Sequence, residues 1–169
     1  MTEVSVKLRL ENGAEMPVYK TAGSAGFDLK AQSFKKVFNG KKEIDLTETL
    51  AHCIANGYIT LRPAERVMIG TGLFMEIPEG FQLEIRSRSG LALEKGLTVS
   101  NQPGTVDSDY RGEICIIITN TNSFLARLDI GDRVAQGVLM PVYKAVFSQE
   151  DTLQHTQRGS GGFGSTGFQ

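Results

Sequence analysis

Hydrophobic and polar positions alternate at period two through much of the chain. Val4, Val6, Leu8 and Leu10 interleave with Ser5, Lys7 and Arg9, the spacing of a strand with one face on a core and the other in water. Comparable runs recur at 66–74, 82–86, 112–119 and 133–142. Turn residues separate them, as at Pro78-Glu79-Gly80, Asn101-Gln102-Pro103-Gly104 and Asp129-Ile130-Gly131-Asp132. Many short strands punctuated this way predict an all-β fold, a jelly roll or β-barrel. One run breaks the alternation. Ile114-Cys115-Ile116-Ile117-Ile118 is apolar throughout and should be covered on both faces, the second cover coming from another subunit.

One segment has helical periodicity. Asp45-Leu46-Thr47-Glu48 is a capping box, Leu46, Leu50, Cys53 and Ile54 share a face, and Asn56-Gly57 supplies a stop. A helix of about three turns is marginal alone and must dock on something. Before it, Lys35-Lys36 and Lys41-Lys42 flank Asn39-Gly40, an exposed turn. The end of the chain, 158–169, is glycine-rich and cannot form a core element. Two readings stand for it: a plain flexible terminus, or an arm that folds over a ligand. Arg158, Phe163 and the Ser165-Thr166 pair exceed what a solubilising tail requires.

Composition narrows the classes. A chain of 169 residues, 40% hydrophobic, suits one domain with a real core. The net charge of −1 gives no basic excess for direct nucleic-acid binding. No stretch approaches the roughly 18 apolar residues of a membrane span, and Met1–Lys7 lacks the features of a signal peptide. A soluble cytoplasmic protein is expected. Cys53 and Cys115 are far apart, as are His52 and His155, which argues against a zinc site and for free thiols.

Three segments carry candidate chemistry. In Arg86-Ser87-Arg88-Ser89-Gly90, guanidiniums, hydroxyls and a glycine amide converge, a set suited to phosphate oxygens; a surface arginine cluster is the alternative. The segment 101–112 reads as a rigid hairpin whose backbone could meet the edge of a planar ligand, with Tyr110 as a ring for a sugar. Asp107 and Asp109 could equally be turn residues. In the arm, Arg158, Ser165 and Thr166 suit a terminal phosphate, and Phe163 a base.

Five ordered segments together resemble the motifs of the all-β, trimeric dUTPase family: Ser24-Ala25-Gly26-Phe27-Asp28-Leu29, Arg88-Ser89-Gly90-Leu91-Ala92, the stretch from Gly104 to Gly112, Gly131-Asp132-Arg133-Val134-Ala135-Gln136, and Arg158 to Gly167. The resemblance implies hydrolysis of dUTP to dUMP and pyrophosphate. It puts Asp107 in the place of the catalytic aspartate, activating water for attack at the α-phosphate, and Tyr110 beneath the deoxyribose. Asn101 and the hairpin backbone, with Gly104, Val106 and Cys115, would read uracil. Arg88, Ser89, Gly90, Arg133 and Gln136 match phosphate-binding positions. Arg158, Phe163, Ser165 and Thr166 match the closing arm. Asp28 matches an aspartate near the water shell of a Mg²⁺ ion that arrives with the substrate phosphates. The fold implied is a distorted jelly roll or barrel over 1–157, with 158–169 as a mobile arm and each site shared within a homotrimer.

The chain departs from the pattern in two places. Ser87 stands where proline is common. Residues 32–58 form an added segment, and loops of that size carry function or disorder. It is either a decoration on the domain or a protein-binding surface, since it resembles inserts of phage-encoded members, some of which bind a repressor. Two further functions remain in view. A dCTP deaminase-like enzyme would release ammonia from dCTP. A regulatory module with incidental catalysis would bind its partner regardless of nucleotide.

Overall fold

A computed structural model describes residues 3–11, 13–44, 55–162 and 165. The all-β expectation holds: the described residues contain thirteen strands and the short helix α1 (Ser89–Lys95). Strand β1 (Lys7–Leu10) pairs antiparallel with β7 (Leu73–Glu76). A four-stranded sheet runs β10 (Gly104–Val106), β8 (Phe81–Arg86), β13 (Arg133–Pro141), β2 (Phe27–Lys30). A five-stranded sheet runs β4 (Lys42–Ile44), β3 (Ser33–Asn39), β6 (Arg66–Gly70), β11 (Cys115–Asn120), β9 (Leu97–Val99). Strand β12 (Ala126–Asp129) pairs with β5 (Tyr58–Leu61).

Among the described residues these sheets do not close into one barrel. The reason shows at 66–74, expected as one strand. It divides at Thr71-Gly72, where Gly72 adopts φ 69°. After that corner β7 pairs in a different sheet from β6. Bends of this kind let strands switch layers in packed-sheet folds. The layers enclose Leu29, Leu61, Ile69, Leu83, Leu97, Ile116, Ile118 and Leu128, all under 2% exposed. Burying each is worth about 1.5–3 kcal/mol. Asn120, fully buried, donates to Leu61 O at 2.9 Å and Phe124 O at 2.8 Å, and accepts from the Asn122 amide at 3.0 Å. Its polar groups are thus satisfied, and it ties β11 to β5.

Within the single chain, burial alternates along the apolar run at 114–118. Ile114, Ile116 and Ile118 are buried, while Ile117 is 37% exposed and Cys115 half-buried. Within one chain the outer face of this strand is open beside Met68, its register partner. The predicted helix at 45–56 lies outside the described residues except for Ala55 and Asn56, which are helical; Gly57 follows at φ 67°. The lysine-flanked turn at Asn39-Gly40 joins β3 to β4, with Gly40 at φ 58°. Strand β3 is integral to the five-stranded sheet: it pairs along β6 and buries Phe34 and Val37.

Candidate functional site

Two clusters of the expected residues lie on the four-stranded sheet. The first is built where β2, β13 and the β8–α1 connection meet. Register places Asp28 of β2 opposite Gln136 of β13, and Gln136 opposite Arg86 of β8. Arg88 lies two residues beyond and starts α1. Its Nε donates to Asp28 Oδ1 at 2.9 Å and its Nη1 to Arg133 O at 3.1 Å. Arg133 Nη1 donates to Asp28 Oδ2 at 3.0 Å. Gln136 Nε2 donates to Ser87 O at 3.1 Å. Asp28 is 15% exposed at its side chain, so one carboxylate, largely sheltered, orients two guanidiniums. Each guanidinium has five N–H donors, and most remain for a ligand. The trio carries a net positive charge and suits an anion. Ser89 and Gly90 adjoin it, exposed in the first turn of α1, where backbone amides lack intrahelical acceptors.

The second cluster is the turn after β10. Gly104 faces Ile85 and Val106 faces Leu83. The Asn101 amide packs on Gly104, where a Cβ would lie 3.2 Å from Asn101 Nδ2. Asp107 follows, exposed, and its carbonyl accepts the Tyr110 amide at 3.2 Å to close the turn. Arg111 Nη1 braces it, donating to Ser108 O at 2.6 Å and Tyr110 O at 3.0 Å. The Tyr110 hydroxyl donates to Glu113 O at 3.0 Å. Its ring lies against Gly112, where a Cβ would meet the phenol unless the exposed ring moved aside. Asp107, Ser108, Asp109 and Arg111 line an open cleft of about 830 Å³ with 76–82, Val142 and Lys144.

The clusters are not contiguous. Asp107 lies level with Gln82, four residues along β8 from Arg86, which is about 13 Å at 3.3 Å per residue. None of Asp28, Arg88, Arg133 and Gln136 lines the cleft at Asp107. The Asn101 end of the hairpin is nearer the arginines, because Gln102 Oε1 accepts the Ser87 amide at 3.0 Å. Cys115 lies on β11 opposite Gly70, two residues before Ile117, whose carbonyl accepts the Ser100 amide at 2.8 Å. Burial, then the Glu113 anion, push its thiol above the ordinary range. Arg158 Nε donates to Gly161 O at 2.8 Å and the Ser165 amide to Gly162 O at 3.0 Å. Phe163 and Thr166 lie outside the described residues.

Sequence reasoning did not find α1, although Leu91-Ala92-Leu93-Glu94-Lys95 is a run of helix formers stopped by Gly96 at φ 58°. Nor did it find the structural bond of Ser87, whose Oγ accepts the Val99 amide at 2.8 Å, or the pair of Lys35 with Glu113 at 2.9 Å. Among the described residues no group of three or more His, Cys, Asp or Glu could hold a metal ion, and no helix is long and apolar enough to cross a membrane.

A positively charged cradle suited to an anion and a tyrosine-bearing aspartate turn thus share one all-β scaffold. The family model described as dUTPase matches residues 52–167, and the chain belongs to the dUTPase family. It is a dUTP diphosphatase, hydrolysing dUTP. It is similar to the deoxyuridine 5'-triphosphate nucleotidohydrolase of Roseobacter denitrificans, 42% identical over 99% of both chains. Among solved structures, the dUTPase of Staphylococcus bacteriophage 80alpha with dUpNHpp has TM-score 0.74 and 22% identity, covering 96% of this chain and 98% of that one. A mutant dUTPase of the S. aureus phage phi11, described with a structural Mg(II) ion, has TM-score 0.68 and 20% identity, covering 90% of this chain and 100% of that one. At those identities the phage structures speak to the fold alone.

Proposed function

We propose that Asp107 is the general base of dUTP hydrolysis, acting in a site assembled from more than one copy of the chain in a homotrimer. The carrying observation is the separation of the Asp107–Tyr110 turn from the Arg88–Arg133 cradle, about 13 Å along the sheet by register. None of Asp28, Arg88, Arg133 and Gln136 lines the cleft at Asp107, so the phosphate-holding groups beside Asp107 are assigned to a neighbouring copy. The Asp107 carboxylate orients a water and takes its proton as the water attacks the α-phosphorus in line. The bond to the leaving pyrophosphate oxygen then breaks and gives dUMP. Arg88 and Arg133 hold the developing charge, with Ser89, Gly90 and Gln136 alongside. Tyr110 packs under the deoxyribose, and Asn101 with the backbone of Gly104, Val106 and Cys115 reads uracil. Arg158, Phe163, Ser165 and Thr166 close over the nucleotide.

A Mg²⁺ ion fits this arrangement through the substrate. Both Asp28 oxygens already accept guanidinium N–H groups, which disfavours direct ligation. A carboxylate has about four lone-pair sites, so Asp28 retains capacity for metal-bound water. The ion would be held by the phosphates and would supply charge neutralisation there. A second role follows from 32–58, where Lys41 and Lys42 stand exposed at the β3–β4 turn: a surface for a repressor-type partner protein.

Complementation between inactive variants tests the shared site. Asp107→Asn chains and Arg88→Ala chains, each inactive alone, should regain pyrophosphate release when unfolded and refolded together, because mixed assemblies contain sites lacking neither residue. A mixture as inactive as its components, with mixed assemblies verified by mass, would return the site to a single chain.

A further inference from the structure

Glu113 stands where the Asp107 loop enters β11, and its side chain is only 13% exposed. Two other parts of the chain hold it. Its Oε1 accepts the Gly72 amide at 2.9 Å, and its Oε2 pairs with Lys35 Nζ of β3 at 2.9 Å. That contact raises the Lys35 pKa, so the ammonium stays charged at neutral pH. The backbone of Glu113 does separate work, accepting the Tyr110 hydroxyl at 3.0 Å. The next residue is locked as well. Ile114 donates to Leu73 O at 2.8 Å, and its carbonyl accepts from Thr71 Oγ1 at 2.7 Å. The exit of the loop is therefore clamped to the β6–β7 corner and to β3, and the phenol is tethered to the clamp.

We propose that Lys35 and Glu113 are a positioning pair for Tyr110, fixing how closely its ring approaches the sugar and hence the preference for dUTP over UTP. The inference rests on the reading of Tyr110 as the ring beneath the deoxyribose. Neither side chain touches substrate; both act through Tyr110. Without the Lys35 charge, the sheltered carboxylate keeps one N–H partner and turns toward water to be solvated. Its own carbonyl shifts with it, and the tyrosine hydroxyl follows its acceptor. A ring displaced in this way leaves room for a 2′-hydroxyl, so discrimination falls before binding of the base does.

The test measures kcat and KM separately for dUTP and UTP in the full-length protein, for Lys35→Met, Glu113→Gln, Lys35→Arg and Tyr110→Ala. K35M and E113Q should each lower the dUTP/UTP ratio of kcat/KM about tenfold, equivalent to about 1.4 kcal/mol. K35R, which keeps the ion pair, should retain the ratio. E113Q carries the test alone if K35M does not fold. A collapsed ratio in Y110A with an unchanged one in K35M and E113Q overturns the pairing role and leaves the Tyr110 reading standing. An unchanged ratio in Y110A overturns both.

Discussion

At the scale of single residues, Asp28 and Asp107 share a side chain and differ in surroundings. Asp28 is sheltered and engaged on each oxygen by a guanidinium, so it arranges other groups. Asp107 is exposed at a turn, and among the described residues no hydrogen bond or ion pair engages its carboxylate, which suits a group that must receive a proton. Asp107→Asn keeps the shape and removes the base. It should lower kcat by about 10²–10⁴-fold while nucleotide affinity changes little. Equilibrium binding of a non-hydrolysable dUTP analogue beside single-turnover pyrophosphate release separates the two effects, and a near-normal kcat would exclude Asp107 as base. Asp107, Arg88 and Tyr110 were singled out as candidates because they stand in ordered motifs. The bond between Arg133 and Asp28, 105 residues apart, and the Lys35–Glu113 pair were not. A sequence states which residues exist, and only folding brings distant ones within 3 Å.

At the scale of elements, period-two patterning located β1, β8, β11 and β13 well. It missed three-residue strands such as β9 and β10, too short to display a period. It also merged β6 with β7 across the Thr71-Gly72 corner. The segment 32–58 shows the same limit. Part of it, β3, is sheet and core, since Phe34 and Val37 are 4% and 3% exposed. Deleting all of 32–58 removes those side chains, at about 2–5 kcal/mol for each core deletion of that kind, and should abolish folding. Replacing only 40–57 by a tight turn should leave dUTP hydrolysis intact and remove binding of a repressor-type partner. Circular dichroism, pyrophosphate release and partner titration follow the three outcomes; partner binding retained by the shortened chain would dismiss the docking role.

For the whole molecule, the surface left by one chain points to further copies. Beyond β13, Tyr143, Val146, Phe147 and Leu153 are 91%, 97%, 93% and 86% exposed, and the described hydrogen bonds of 143–165 are internal to that stretch. Apolar side chains so fully exposed call for cover, and in the proposed homotrimer neighbouring copies supply it. Truncation before Arg158 keeps all four residues. It should preserve the assembly mass by light scattering while cutting kcat for dUTP by at least tenfold, as loss of a closing arm should. An unchanged kcat would remove the arm from catalysis. Taken alone, the sequence determined the strand-rich class, the turns and the residue types of the site, because alternation, turn chemistry and motif order are local properties of a chain. The tertiary structure decided that the sheets stay separate, that Asp28 gathers two arginines, and that the cradle and the Asp107 turn stand apart. Those outcomes depend on register between strands far apart in sequence, and register is set by packing a shared core, which no local stretch of residues specifies.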